Sequence, residues 1–62
     1  DIKTEAIQAI KKSGGSSALG KQLGISRNSV NRWKQSGIPF DRCSEVSKLT
    51  GISALELRPD FL

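Results

Sequence analysis

Apolar residues along the chain recur at spacings of three and four, which puts them on one face of an α-helix, and the pattern breaks at glycine, serine and proline. Ile2, Ala6, Ile7, Ala9 and Ile10 form the first such face, opposite Lys3, Glu5, Gln8, Lys11 and Lys12. This predicts a packing helix over Ile2 to Lys12, ended by the loop Ser13-Gly14-Gly15. A second helix, Ser16 to Leu23, is capped by Ser16 or Ser17 and carries Leu19 and Leu23 one turn apart, with small Ala18 and Gly20 beside them. Gly24 follows the last apolar residue, where a left-handed backbone conformation ends a helix sharply. Ile25 reads as a buried hinge. Ser26 can then accept a hydrogen bond from a free first-turn N–H, so a third helix follows it, with Val30 and Trp33 as its apolar stripe.

Ser36-Gly37 reads as the exit from that helix, and Ile38-Pro39 as the start of a fourth, with proline at its favoured first position. Phe40, Cys43, Val46 and Leu49 make the fourth stripe, which stops at Thr50-Gly51 and is expected to close the core over Val30 and Trp33. Asp41 and Glu45 near its start and Lys48 near its end suit the helix dipole. Ser53-Ala54-Leu55-Glu56 has the form of a capping box, in which Ser53 and Glu56 satisfy each other's backbone donors, so a short fifth helix begins there and ends at Arg58-Pro59. No repeat, linker or low-complexity segment interrupts the chain, and residues 1–62 read as a single all-α domain.

Composition narrows what such a domain can do. With 62 residues, it lies near the lower limit for folding without a metal or disulfide. A thin core with only one Trp and two Phe argues against a deep ligand cavity or a small-molecule substrate. The single Cys43 has no internal disulfide partner and packs as a small hydrophobe more readily than it serves redox chemistry. There is no histidine, the usual zinc ligand and general base. Paired carboxylates and a nucleophile with its base are missing too, so neither an enzyme nor a metal or other cofactor is expected. The run Gly15 to Lys21 fits the opening of a phosphate-binding loop, G-x-x-x-x-G-K. Gln22, however, stands where the metal-binding Ser or Thr belongs, no strand precedes the loop, and the chain is too short for the parallel sheet that holds a nucleotide. No signal peptide or membrane-length apolar run is present, which suggests a cytoplasmic protein. No methionine opens the chain, so its first residue is expected to follow a processing or trimming point.

Charge changes the picture more. The net charge is +4, but all six acidic residues (Asp1, Glu5, Asp41, Glu45, Glu56 and Asp60) lie outside the segment from Ala6 to Phe40. Lys11, Lys12, Lys21, Arg27, Arg32 and Lys34 lie inside it. By itself a basic run is a solvated face, and Lys11 and Lys12 suit the end of the first helix dipole as well as they suit a phosphate. The block coincides, however, with two helices joined by a tight turn. The polar positions of the second of them, Arg27, Asn28, Ser29, Asn31, Arg32, Lys34 and Gln35, include no acid, which is the electrostatic footprint of a phosphate-backbone binder.

Leu19, Gly20, Leu23, Gly24, Ile25, Val30 and Trp33 match the spacing of the helix-turn-helix motif. The wider run ALGKQLGISRNSVNRWKQSGIP, continuing through Thr50-Gly51 to LRPDFL, resembles the small phage Cro repressors and the related bacterial regulators of the YdaS type, over about Gly15 to Leu62. The departure is Gly20, where the family usually has alanine. Glycine in a helix interior costs roughly 0.5–1 kcal/mol relative to alanine, but it permits close helix packing.

The resemblance implies a small five-helix, lambda-repressor-like DNA-binding domain of a bacterial host cell. It implies a sequence-specific transcriptional repressor that reads a palindromic operator in double-stranded DNA as a weak or DNA-assisted homodimer. With the second motif helix in the major groove, Arg27, Asn28, Asn31 and Arg32 are the base-reading candidates, since Arg pairs with guanine and Asn with adenine. Arg27 or Arg32 can instead hold phosphate. Ser16, Ser17, Lys21, Ser26, Ser29 and Lys34 form the DNA-backbone group, and Gln35 suits either role. Trp33 invites stacking on a base, but its place beside Val30 favours the core. Leu55, Phe61 and Leu62 either supply the dimer patch or finish the core. Some Cro proteins carry a C-terminal sheet; the short, proline-containing tail here favours helix throughout. Rival readings are a small helical module for a protein or RNA partner and a DNA-binding antitoxin.

Overall fold

The structure is a computed structural model that describes residues 1–61, Phe61 through its backbone alone. Five helices, α1 (Ile2–Lys12), α2 (Ser16–Leu23), α3 (Arg27–Ser36), α4 (Phe40–Thr50) and α5 (Ala54–Leu57), are followed by a 3-10 turn over Pro59–Phe61. No strand occurs among the described residues, so the expected all-α architecture holds. The Leu62 side chain and that of Phe61, both named for a dimer patch, fall outside what is described.

Asp1 starts α1 by accepting, at Oδ1, the N–H groups of Lys3 at 2.7 Å and Thr4 at 3.5 Å. Ala6, Ala9 and Ile10 are buried, and α1 packs mainly against α3 and α5. Small alanines on this face leave room for the bulk of Trp33 in the shared core. Ile7, expected on the same face, stands at its edge and is exposed. Leu19, Val30, Ile38, Val46 and Leu57 are fully enclosed, and Trp33, Cys43 and Ile52 join them in one apolar cluster. Trp33 is therefore a core residue. Burial pushes the Cys43 thiol above its ordinary pKa, although the Arg58 charge opposes the shift.

The fourth stripe is buried only in its middle. Cys43 and Val46 enter the core, whereas Phe40 and Leu49 remain 45 % exposed, because a spacing of three drifts around a helix with 3.6 residues per turn. Pro39 is the residue preceding α4 and not its first helical position, and its neighbour Ile38 is itself a core residue. α4 packs against α5 and α1, whereas the main partners of α3 are α1 and α2. The core over Trp33 is thus closed through α1 and the Ile38 loop more than by α4 lying on α3. The capping box of α5 is half made: Glu56 N–H donates to Ser53 Oγ at 3.3 Å, with no return bond from the Ser53 N–H to the Glu56 carboxylate.

Arg58 ties the C-terminal end to the rest. Its guanidinium lies 4.2 Å from the centre of the Phe40 ring, donates to the Ile38 carbonyl at 2.9 Å, and grips both carboxylate oxygens of Asp60 at 3.0 and 2.8 Å. One face of exposed Phe40 is thereby covered. The same grip holds the Asp60 carboxyl below its ordinary pKa.

Candidate nucleic-acid interface

α2 and α3 meet through a turn that the local sequence dictates. Gly24 ends α2 at φ 73°, a left-handed conformation, and the Ile25 N–H closes back on the Gly20 carbonyl at 2.9 Å. The chain passes so close to α2 there that a Cβ on Gly20 would lie 2.8 Å from the Ile25 backbone oxygen. Glycine at this position is a packing requirement of the turn, which accounts for the departure from alanine. Ile25 is half-buried against the core, and Ser26 caps α3 as its sequence predicts, accepting the Ser29 N–H at 3.2 Å.

Burying Val30 and Trp33 turns the other side of α3 to solvent. Arg27, Asn28, Arg32, Lys34 and Gln35 are exposed, and Asn31 and Ser29 are half-buried at the margins. No ion pair engages Lys21, Arg27, Arg32 or Lys34 among the described residues. The face is polar, cationic and uncompensated by acid. Gln35 lies two turns beyond Asn28 on the same strip, in line with the base-reading candidates as well as with the phosphate group.

Three expected backbone contacts prove to have roles inside the molecule. Ser26 and Ser29 share a hydroxyl–hydroxyl contact of 3.1 Å at the start of α3, which leaves one of the two protons free. Neither Ser16 nor Ser17, the expected caps of α2, caps it. Gly15 occupies that place and offers no side-chain acceptor, so the first-turn amides of α2 stay open. The Ser16 hydroxyl is drawn instead to α3, where it donates to Asn31 Oδ1 at 2.6 Å. This link joins a residue of the phosphate group to one of the base-reading group. No local pattern announces it, because it depends on how α2 crosses α3. Ser17 is exposed in the first turn of α2, beside the open amides, and Lys21 is exposed in its last turn.

Among the described residues no group of His, Cys, Asp and Glu is placed to hold a metal, and no helix is long and apolar enough to cross a membrane.

The family described as "Bacterial toxin YdaS" matches residues 6–62 of the chain. The chain is similar to the "Putative transcriptional regulator YdaS" of Escherichia coli (strain K12), with 40 % identity over 58 residues. That alignment covers 87 % of this chain and 59 % of the relative, so the chain spans about three fifths of the relative's length. No solved structure matches it. Both matches fall on the YdaS side of the resemblance read from the sequence.

Proposed function

The chain belongs to the YdaS family, and from that membership we propose that it is a sequence-specific, double-stranded-DNA-binding transcriptional repressor that works in a Cro-like manner in the bacterial cytoplasm. The observation that carries this reading is the exposed side of α3, on which Arg27, Asn28, Arg32 and Gln35 project without an acidic partner from a helix-turn-helix pair. The E. coli relative's description as a transcriptional regulator supports it.

In this reading α3 lies in the major groove and α2 crosses the phosphate backbone. The open amides at the start of α2, with Ser17, take a phosphate, since a helix N-terminus offers unpaired N–H groups and a positive dipole end, and Lys21 in the last turn holds a further backbone oxygen. Arg27 and Arg32 are flat donor forks suited to guanine or to phosphate, and Asn28 faces the base edges. Lys34 and the free Ser26 or Ser29 hydroxyl hold backbone oxygens. The protein acts by binding and not by catalysis. A palindrome is read by two copies of the motif, one per half-site, as a weak or DNA-assisted homodimer.

The family's description supports a second reading, a toxin acting on a different target. Selection of bound duplexes from a random pool, at low and near-physiological salt, separates the two. Enrichment of a two-fold symmetric motif at the higher salt supports the repressor. Retention at low salt without an enriched sequence would overturn it, because charge-only binding collapses as counterions compete.

A further inference from the structure

The hydroxyl of Ser16 and the amide of Asn31 belong to different helices, fifteen residues apart in sequence, and are joined at 2.6 Å. In this bond Ser16 Oγ–H is the donor and Asn31 Oδ1 the acceptor, so the Asn31 carbonyl oxygen is turned toward the start of α2. Its amide nitrogen has no partner among the described residues. Asn31 is half-buried, on the margin of the exposed side of α3, and that NH2 group is what it offers outward.

Recognition of adenine by asparagine requires both ends of the amide to face the groove, Oδ1 accepting from adenine N6 and Nδ2 donating to N7. Here one end is held back. Guanine, with N7 and O6, and thymine, with O4, present acceptors without a neighbouring donor, and an NH2 group suits either of them. We infer that Asn31 reads an acceptor-only base edge, guanine or thymine in preference to adenine, and that Ser16 is the positioning residue that imposes this choice by holding Asn31 Oδ1 out of the groove. The inference rests on the DNA-reading assignment above and refines the adenine contact that an asparagine at this place first suggests. It also gives Ser16 a role in specificity beyond the phosphate contact expected of it.

The test compares duplexes selected from a random pool by the wild-type chain, Asn31→Ala, Ser16→Ala and Ser16→Thr, each checked by thermal melt to be folded. The base pair whose preference Asn31→Ala erases is the one Asn31 reads. There the wild type should retain guanine or thymine. Ser16→Ala, which frees Oδ1 to turn toward adenine N6, should raise adenine relative to guanine by about fivefold or more, the lower end of what a paired amide contact discriminates. Ser16→Thr keeps the hydroxyl and should restore the wild-type preference, whereas a lost phosphate contact would weaken binding to all sequences alike and leave the preference at that base pair unchanged. An adenine preference in the wild type, or no change at that base pair in Ser16→Ala, would overturn the inference while leaving DNA reading intact. A wild-type pool that enriches no sequence would remove the DNA-reading assignment, and this inference with it.

Discussion

The two halves of the molecule treat their charges in opposite ways. In the C-terminal half, both arginines are matched by a neighbouring acid at the surface: Arg42 pairs with Glu45 at 3.2 Å, and Arg58 with Asp60 at 2.8 Å, leaving Lys48 as the one basic side chain there without an ion pair among the described residues. On α2 and α3, Lys21, Arg27, Arg32 and Lys34 have no such partner among the described residues. Folding does not require charges to remain unmatched. Lysines and arginines scattered for solubility alone would be interspersed with acids, as they are on α4. Under the proposed function, the difference makes α2–α3 the side that meets the anionic partner, and α4, α5 and the 3-10 turn the side that braces it.

If this division is right, mutations should sort by region as well as by size. Trp33→Ala should have the largest effect, because it removes the largest side chain of the shared apolar core. A loss of about 3–5 kcal/mol is expected for such a core truncation, enough to unfold a domain of this size. Circular dichroism would check it, and a folded variant would contradict the placement of Trp33 in the core. Next, Arg27→Ala and Arg32→Ala should each leave the thermal midpoint unchanged. Each that reads a base should weaken binding to a selected duplex by about 1–3 kcal/mol, and each that holds phosphate should instead flatten its salt dependence. Lys48→Ala, on the bracing side, should do neither. Equal losses from Lys48 and Arg32 would erase the distinction between the regions.

Gly20→Ala comes third. Helix propensity alone favours alanine by roughly 0.5–1 kcal/mol, but the added Cβ meets the Ile25 backbone oxygen, and overpacking typically costs about 1–3 kcal/mol. A net loss of roughly 1 kcal/mol is expected in a denaturant titration; a gain would show that the turn relaxes freely. The smallest effect belongs to Asp60→Asn. Because its folded pKa lies below the ordinary 3.8, ionised Asp60 stabilises the fold above that pH, and the contribution is lost as the pH falls through the lowered value. The wild type should therefore lose thermal stability slightly more steeply than the variant across that acid range, the difference being small because the pair is exposed to solvent.

Sequence periodicity located α1 to α4, since burial on one face repeats at the helical period wherever a helix packs on a single core, and the Ser53 cap located α5, while the 3-10 turn over Pro59–Phe61 had no such signal. It also located the motif's exposed side, because Val30 and Trp33 define the buried side and everything opposite must face water. Its errors arose where tertiary contacts override local rules. Phe40 and Leu49 belong to the stripe by spacing but lie at its drifting ends, and Ile38, read as the start of the fourth helix, lies outside it and fills the core. Ser16 has the chemistry of a cap and spends its hydroxyl on Asn31 instead. Arg58, read only as the end of a helix, proves to be the clamp joining Phe40, Ile38 and Asp60; an Arg two residues before an Asp was the available hint.

The most direct test is to map the backbone amide shifts of the 15N-labelled chain as a selected duplex is added. Perturbations concentrated on Ser16 to Lys21 and Arg27 to Gln35, with α4 and α5 nearly silent, are what the division of the molecule predicts. Perturbations centred on Leu49 and Leu55, or none at saturating duplex, would contradict it and assign the partner-binding surface to the other half.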